Sequence, residues 1–441
     1  MPDRLPLPDL PPECDGPLLA GFSGGLDSTV LLHRLAAEPA LRARGLRAVH
    51  VHHGLQPQAD AWAAHCLEVA AALGVPCEVR RVAPALDAGL GLEAAAREAR
   101  YAALAAALPR GGVLATAHHQ DDQAETFLLR ALRASGPEGL GAMRPLRRFG
   151  GGWHWRPLLQ LPRQALEAYA RAHGLGWIDD PSNALAEAER NFLRLEVLPL
   201  LRRRWPHAAA ALARSATLSA EADALLRADD AALLDQLAGD DGQVLPVEPL
   251  QALPAARRAR LLRAWIRGLG LPPLPARGVE RIERELLPAR PDAGARFAWS
   301  GARVLRWRGL LHADVERAPL PAHWQAGWDG RAPLELPDGG RLWLADATGQ
   351  PAQAAFAAPL LARARRGGER IRLRGRAHSH ALKHLLQERG VPPWRRAQLP
   401  LLCDAGGSVL AAADIVLAAP LEQWLEAHAL VLRWQPPRAP R

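Results

Sequence analysis

Between Leu18 and about Leu201, short apolar runs alternate with stretches whose apolar positions recur every three or four residues. Leu18–Phe22 reads as a strand, followed by a glycine turn and a helix from about Ser28 to Ala37. Leu46–Val51 repeats the strand pattern ahead of a helical stretch, Gln58–Leu73. Val75–Val82 precedes the helical Leu92–Leu108, and Val113–Thr116 precedes a helix running through Asp122 to Leu132. Strands that alternate with helices predict an α/β fold, a doubly wound and mostly parallel sheet covered on both faces. Ligands of such sheets bind beyond the carboxyl ends of the strands.

Pro206 interrupts an arginine-rich helix, so the first domain is expected to span 1–205. Residues 206–317 are rich in leucine, alanine and arginine with helical periodicity, which predicts a helical middle domain. The proline-studded stretch 318–356 reads as a connector with some strand content. A small α+β domain is expected over 357–441, with a frayed Pro-Pro-Arg-Ala-Pro-Arg end.

A chain of 441 residues accommodates two to three domains. The net charge is +9, and every basic residue except Lys383 is arginine. Such a skew follows from a GC-rich genome, but the arginine fork also donates paired hydrogen bonds to phosphate oxygens. The charge therefore favours a nucleic-acid partner without establishing one. Cys14, Cys66, Cys77 and Cys403 have no paired spacing, which argues against a disulfide framework and against a zinc or iron–sulfur site. No stretch approaches the roughly 20 apolar residues that span a bilayer, and Met1–Pro12 lacks the pattern of a signal peptide. A cytoplasmic protein without membrane contact is expected.

The chemistry centres on Ser23-Gly24-Gly25-Leu26-Asp27-Ser28, placed between a strand and a helix. Two glycines let backbone N–H groups close on phosphate oxygens, the serine hydroxyls add donors, and the helix presents its positive end. Asp27 would repel phosphate unless a cation stood between them, which points to magnesium shared with a nucleotide. The competing reading is a plain glycine turn with Asp27-Ser28 capping the helix.

His50-Val51-His52-His53-Gly54-Leu55 closes the second strand. Arg97 and Arg100, three apart on a helix opening at Gly91-Leu92-Glu93, share one face; they suit phosphate as well as solvent. Ala117-His118-His119-Gln120-Asp121-Asp122-Gln123-Ala124-Glu125-Thr126 follows a strand and enters a helix. Asp122 and Glu125 lie on one helical face; they complement the helix dipole, but a carboxylate pair at a nucleotide site also calls for a cationic ligand such as an amino-acid ammonium. Arg190 and Arg194, four apart, could grip RNA or nucleotide phosphate, or could simply be solvated.

The six-residue loop resembles the PP-loop of enzymes that split ATP between its α and β phosphates, of the adenine-nucleotide hydrolase-like fold. With the other strings, the chain closely resembles the tRNA(Ile)-lysidine synthetases. The likeness continues through Leu128-Leu129-Arg130, Gly136-Pro137-Glu138-Gly139-Leu140, Arg156-Pro157-Leu158-Leu159, Asp180-Pro181-Ser182-Asn183 and Arg190-Asn191-Phe192-Leu193-Arg194. Less specific matches follow at Gly367-Gly368-Glu369-Arg370 and Val391-Pro392-Pro393-Trp394-Arg395.

That resemblance implies ATP and Mg2+ as cofactors, and free L-lysine and the CAU-anticodon isoleucine tRNA as substrates. It implies nucleotide binding by Ser23, Gly24, Gly25, Leu26, Asp27 and Ser28, with Asp27 also a magnesium ligand. Catalytic roles fall to Asp27, Asp122, Glu125, His118 and Arg97, and substrate binding to Asp122, Glu125, Arg190 and Arg194. Two departures stand out: Ala134 occupies a position where the family usually has glycine, and Gln56-Pro57 follows the histidine string where serine is frequent. A tRNA thiolase would call for paired cysteines that are absent. A GMP synthetase would bring a glutaminase module, which is not seen, and a relict RNA-binding protein would have no reason to keep Asp27, Asp122 and Glu125.

Overall fold

A computed structural model describes residues 5–54, 56–83, 92–181, 189–238, 242–290, 294–352 and 354–437. Leu55, Gly91, Ser182 and Asn183 of the strings above lie outside the described residues. The chain divides into two compact units, Met1–Asp229 and Asp230–Arg441.

The first unit is built on strands β1 (Leu18–Gly21), β2 (Arg47–His52), β3 (Cys77–Arg81), β4 (Val113–Ala115), β5 (Leu146–Phe149) and β6 (Gly152–Trp155). They form one sheet in the order β3-β2-β1-β4-β6-β5. All neighbours are parallel except the hairpin of β5 and β6 at the edge. Helices α1 (Leu26–Ala37), α2 (Ala59–Ala72), α3 (Leu92–Ala107) and α4 (Gln120–Leu132) follow the first four strands, and α5 (Arg163–Ala172) follows the hairpin.

Alternation along β1 shows why both faces are covered. Leu18 and Ala20 join Val30, Leu31, Leu35, Cys66 and Tyr169 in one core, while Leu19 joins Val49, Leu104 and Leu114 in another. Successive side chains of a strand point to opposite faces, so a strand apolar throughout requires helices on each side. The predicted strands and helices of this region are all present, within two residues at each end. The β5–β6 hairpin is additional. The chain steps outward from β1 to β2 and β3, then crosses to β4 on the other side of β1. The crevice between the carboxyl ends of β1 and β4 is therefore the expected binding position.

Beyond the sheet lie a turn of helix at Glu189–Phe192, a π-helical turn at Leu193–Val197, a helix at Leu198–Arg204 and the long α6 (Ala208–Ala238). The boundary between the units falls within α6, past the break expected at Pro206.

In the second unit the helical middle region is present, and the structure adds a four-stranded antiparallel sheet. Its strands are Val244–Pro246, Arg296–Trp299, Ala302–Trp307 and Leu310–Val315. Phe297, Trp299, Val304 and Leu311 pack with Leu262, Trp265 and Ile282 of the helices in one core. Val244–Pro246 and Arg296–Trp299 are too short to show a period of two, and Ala302–Trp307 opens with four buried residues in a row, so no alternation marks it. The stretch 318–356, expected to be a connector with some strand content, contributes strands to two sheets. Gln325–Trp328 pairs with Leu360–Arg363, and Arg341–Ala345 pairs with Val431–Gln435. Burial of Trp328, Leu342 and Leu344 against Leu402, Leu425 and Leu432 accounts for it.

Candidate active site

A cavity of about 700 Å3 opens at the carboxyl ends of β1, β2 and β4. Its walls include Ser23, Gly25 to Ser28, the His50–His53 string, Thr116 to His119, and Glu125, Arg194 and Arg202. The structure thus brings the phosphate-loop string and the acidic string to one crevice.

The loop is tied by its own hydroxyls. Ser23 N–H donates to Ser28 Oγ at 3.2 Å, the two serine Oγ atoms lie 3.0 Å apart, and Ser28 Oγ donates to the carbonyl of Gly25 at 3.0 Å. Gly24 has φ of +83°, and a Cβ there would lie 2.7 Å from Ile178 Cδ1 and 2.8 Å from Cys66 Sγ. Only glycine fits both the backbone and the space. Helix α1 begins at Leu26 with Gly25 as its N-cap and no side-chain cap bond, so Asp27-Ser28 does not cap the helix. Its first-turn N–H groups remain a place for an anion.

Asp27 is held for something other than capping. Its Oδ2 lies 3.5 Å from His119 Nε2, while its Oδ1 is buried without a hydrogen-bond partner. A buried orphan carboxylate oxygen beside a phosphate loop fits a hard cation, and magnesium is characteristically held by one or two carboxylates together with substrate phosphates. Among the described residues no group of three or more His, Cys, Asp or Glu side chains could hold a metal ion alone. Any ion here would be shared with its nucleotide.

Helix α4 starts with His119 as N-cap in a capping box. His119 Nδ1 accepts from Asp121 N–H at 3.2 Å, and Asp122 Oδ2 accepts from His119 N–H at 3.0 Å. The cap occupies the Nδ1 lone pair, so the ring proton sits on Nε2, 3.5 Å from both Asp27 Oδ2 and Asp122 Oδ2. Burial pulls the His119 pKa down, but Asp122 and Asp27 outweigh it and the value is raised. Full protonation would remove the Nδ1 cap bond, so the neutral ring serves the helix better.

Asp122 and Glu125 meet two arginines from the 189–197 turns. Arg190 Nε donates to Glu125 Oε2 at 2.7 Å and its Nη2 to Asp122 Oδ1 at 3.0 Å. Arg194 Nε donates to Glu125 Oε1 at 2.7 Å, and its Nη2 to Asp122 Oδ1 at 3.1 Å and Glu125 Oε2 at 3.2 Å. Glu125 is wholly buried. Burial pushes the Asp122 carboxyl up, yet His119 and Arg190 hold it well below the usual carboxylate range. The cationic partner expected for the acidic pair is thus supplied here by Arg190 and Arg194 themselves, and two negative charges face two positive ones.

His118 lines the cavity with Nδ1 2.8 Å from Thr116 Oγ1. Burial is the first cause, and Arg156, Arg190 and Arg97 add to it against Asp122, so its pKa lies well below the ordinary histidine value. Arg97 is exposed and stacks over the Tyr101 ring at 5.0 Å, whereas Arg100 contributes to the cavity wall. Sequence reasoning gave no role to His119, which joins Asp27 to Asp122. It also passed over His154 and Thr116, whose link spans 38 residues and leaves no local signal.

Family models match three segments: a PP-loop domain over residues 11–201, a TilS substrate binding domain over 245–312 and a TilS substrate C-terminal domain over 360–434. The chain is 56% identical to the tRNA(Ile)-lysidine synthase of Xanthomonas axonopodis pv. citri, across 97% of this chain and 96% of that one. It is 55% identical to the tRNA(Ile)-lysidine synthase of Xylella fastidiosa, across 98% and 97%. The namesake from Alkalilimnicola ehrlichii is 44% identical across 93% and 94%.

Proposed function

The chain belongs to the tRNA(Ile)-lysidine synthase family, and from that premise we propose that it joins free lysine to carbon 2 of the first anticodon cytidine of the CAU-anticodon isoleucine tRNA, in the cytoplasm. In the first step the cytidine O2 attacks the α-phosphorus of ATP; an O–P bond forms and pyrophosphate leaves. In the second, the lysine ε-amine attacks carbon 2; a C–N bond forms, the C–O bond to AMP breaks, and the amine gives up a proton. The product pairs with AUA in place of AUG.

The observation that carries this reading is the convergence of the Ser23–Ser28 loop, the orphan Asp27 oxygen and Glu125 on one cavity, with Asp122 joined to them through His119 and Arg194. Backbone N–H groups of the loop and α1 would bind the phosphates, and Ser23 and Ser28 hold the loop in shape. A magnesium ion held by Asp27 and the phosphates would neutralise charge developing at the α-phosphate. His119 keeps Asp27 oriented. Arg190 and Arg194 have two natural anions, the Asp122–Glu125 pair and substrate phosphate. When phosphate takes the arginines, the carboxylates are released to bind the lysine ammonium and accept its proton. Lysine therefore binds well only after a polyanionic substrate.

The test is pyrophosphate release from ATP with lysine and the tRNA transcript each omitted in turn. Release that requires the isoleucine tRNA transcript and is lost in Asp27→Asn supports adenylation first. Release that instead requires lysine, with no need of tRNA, would mean that the amino acid is activated and would overturn the proposal.

A further inference from the structure

Behind His118 lies a buried polar chain with a fixed direction. A guanidinium can only donate, so Arg156 Nη2 at 3.1 Å and Arg147 Nε at 3.4 Å both donate to His154 Nδ1. The single ring proton of His154 must then sit on Nε2. That atom is 2.8 Å from Thr116 Oγ1, so the threonine oxygen accepts. Its one hydrogen is left for His118 Nδ1, also 2.8 Å away. His118 Nδ1 accepts, and the His118 proton is forced onto Nε2, for which there is no hydrogen-bond partner among the described residues.

The opposite arrangement would point Nδ1–H of His118 at an oxygen already accepting from His154, leaving a buried hydroxyl hydrogen without an acceptor. His154 is wholly buried, and Thr116 and Arg156 nearly so, so an unpaired hydroxyl hydrogen there is costly. A second proton on either ring is opposed by Arg156 and Arg97, with Arg147 facing His154 and Arg190 facing His118; Asp122 is the carboxylate facing His118. Arg156 itself is anchored by Nη1 donating to the carbonyl of Arg144 at 2.7 Å.

We infer that Thr116, His154 and Arg156 are positioning residues that lock His118 as a neutral Nε2–H donor, and that this donor binds an anionic phosphate oxygen of the reacting nucleotide. The inference rests on the adenylation reading above. A donor aimed at the cytidine O2 would weaken it as a nucleophile, whereas charge builds on phosphate oxygens as pyrophosphate departs, and a preorganised donor there lowers the barrier. With its lone pair committed to Thr116, His118 is not the base for lysine. That task falls to the carboxylates.

The experiment uses the full chain labelled with 15N-histidine, with His118 assigned by comparison with His118→Gln. NMR of the free protein near neutral pH should show His118 protonated at Nε2 and bare at Nδ1, in the natural chain and in Thr116→Ser. In Thr116→Val both tautomers should be populated. The kcat for tRNA-dependent pyrophosphate release should fall roughly 10–100-fold at unchanged KM for ATP, while Thr116→Ser keeps its activity. A proton on Nδ1 in the natural chain overturns the inference, and needs no folded variant. So does a Thr116→Val protein that matches Thr116→Ser in kcat. If the natural chain releases no pyrophosphate, the adenylation reading fails and takes the phosphate contact with it, while the spectrum still decides the tautomer.

Discussion

Arg194 Nε donates to Glu125 Oε1 across 2.7 Å, and that carboxylate has no exposed surface. Glu125 also takes Arg190, so it is the hub of the charge network under the cavity. Glu125→Ala leaves two largely buried guanidinium groups short of a counter-charge. It should destabilise the first unit by about 3 kcal/mol, since breaking a buried pair strands the remaining charge. Denaturant unfolding of the variant checks this; a loss within experimental error would show that the network does not support the fold.

Asp122 gives the network a pH signature. Its folded pKa is depressed, so its contribution is complete above the ordinary carboxylate value of about 4 and is lost as pH falls toward the depressed value. Asp122→Asn should therefore be less stable than the natural chain near neutrality, and the gap should narrow below about pH 4. Urea midpoints across acid pH measure it. Curves that stay parallel would contradict the assignment.

Ala134 sits at φ +52° just after α4. Ser135 N–H bonds to the carbonyl of Arg130 at 3.0 Å and Ala134 N–H to that of Ala131 at 3.0 Å, a helix end that calls for a left-handed residue. Ala134→Gly should raise stability by about 0.5–1 kcal/mol, the relief of left-handed strain less the added freedom of the unfolded chain. A lower melting temperature would show that the strain is absorbed elsewhere.

Gly24→Ala makes the opposite test of the phosphate loop. The new Cβ meets Ile178 and Cys66 at under 3 Å and forces a left-handed alanine. ATP binding, followed by calorimetry, should weaken at least tenfold, in line with a strain of about 1–2 kcal/mol together with the displaced loop. Unchanged affinity would mean that the loop does not bind the nucleotide.

The parts of the fold and site that the sequence displays are those built from local signals. The apolar run Leu18–Gly21, the Gly24-Gly25 turn and the helix after it are contiguous, and their period and turn chemistry are visible within about a dozen residues. The same holds for the Asp122–Glu125 spacing. What the sequence conceals is pairing at a distance. Arg190 stands 65 residues from Glu125, and both ends have respectable solitary readings as phosphate or ammonium ligands. His154 lies on a hairpin whose four-residue strands, Leu146–Phe149 and Gly152–Trp155, are too short to show a period. Arg296–Trp299 is too short in the same way, and in its neighbour Ala302–Trp307 the buried Arg303, paired with Asp314, breaks the alternation that would mark a strand.

The most direct test of the central claim is transfer of radiolabelled lysine into tRNA transcripts bearing the CAU anticodon, with and without ATP. ATP-dependent labelling of the isoleucine transcript, absent from the methionine transcripts and abolished by Asp122→Ala, is the predicted result. Labelling of the methionine transcripts to the same extent, or no labelling while ATP is still cleaved to AMP in the presence of the isoleucine tRNA, would contradict it.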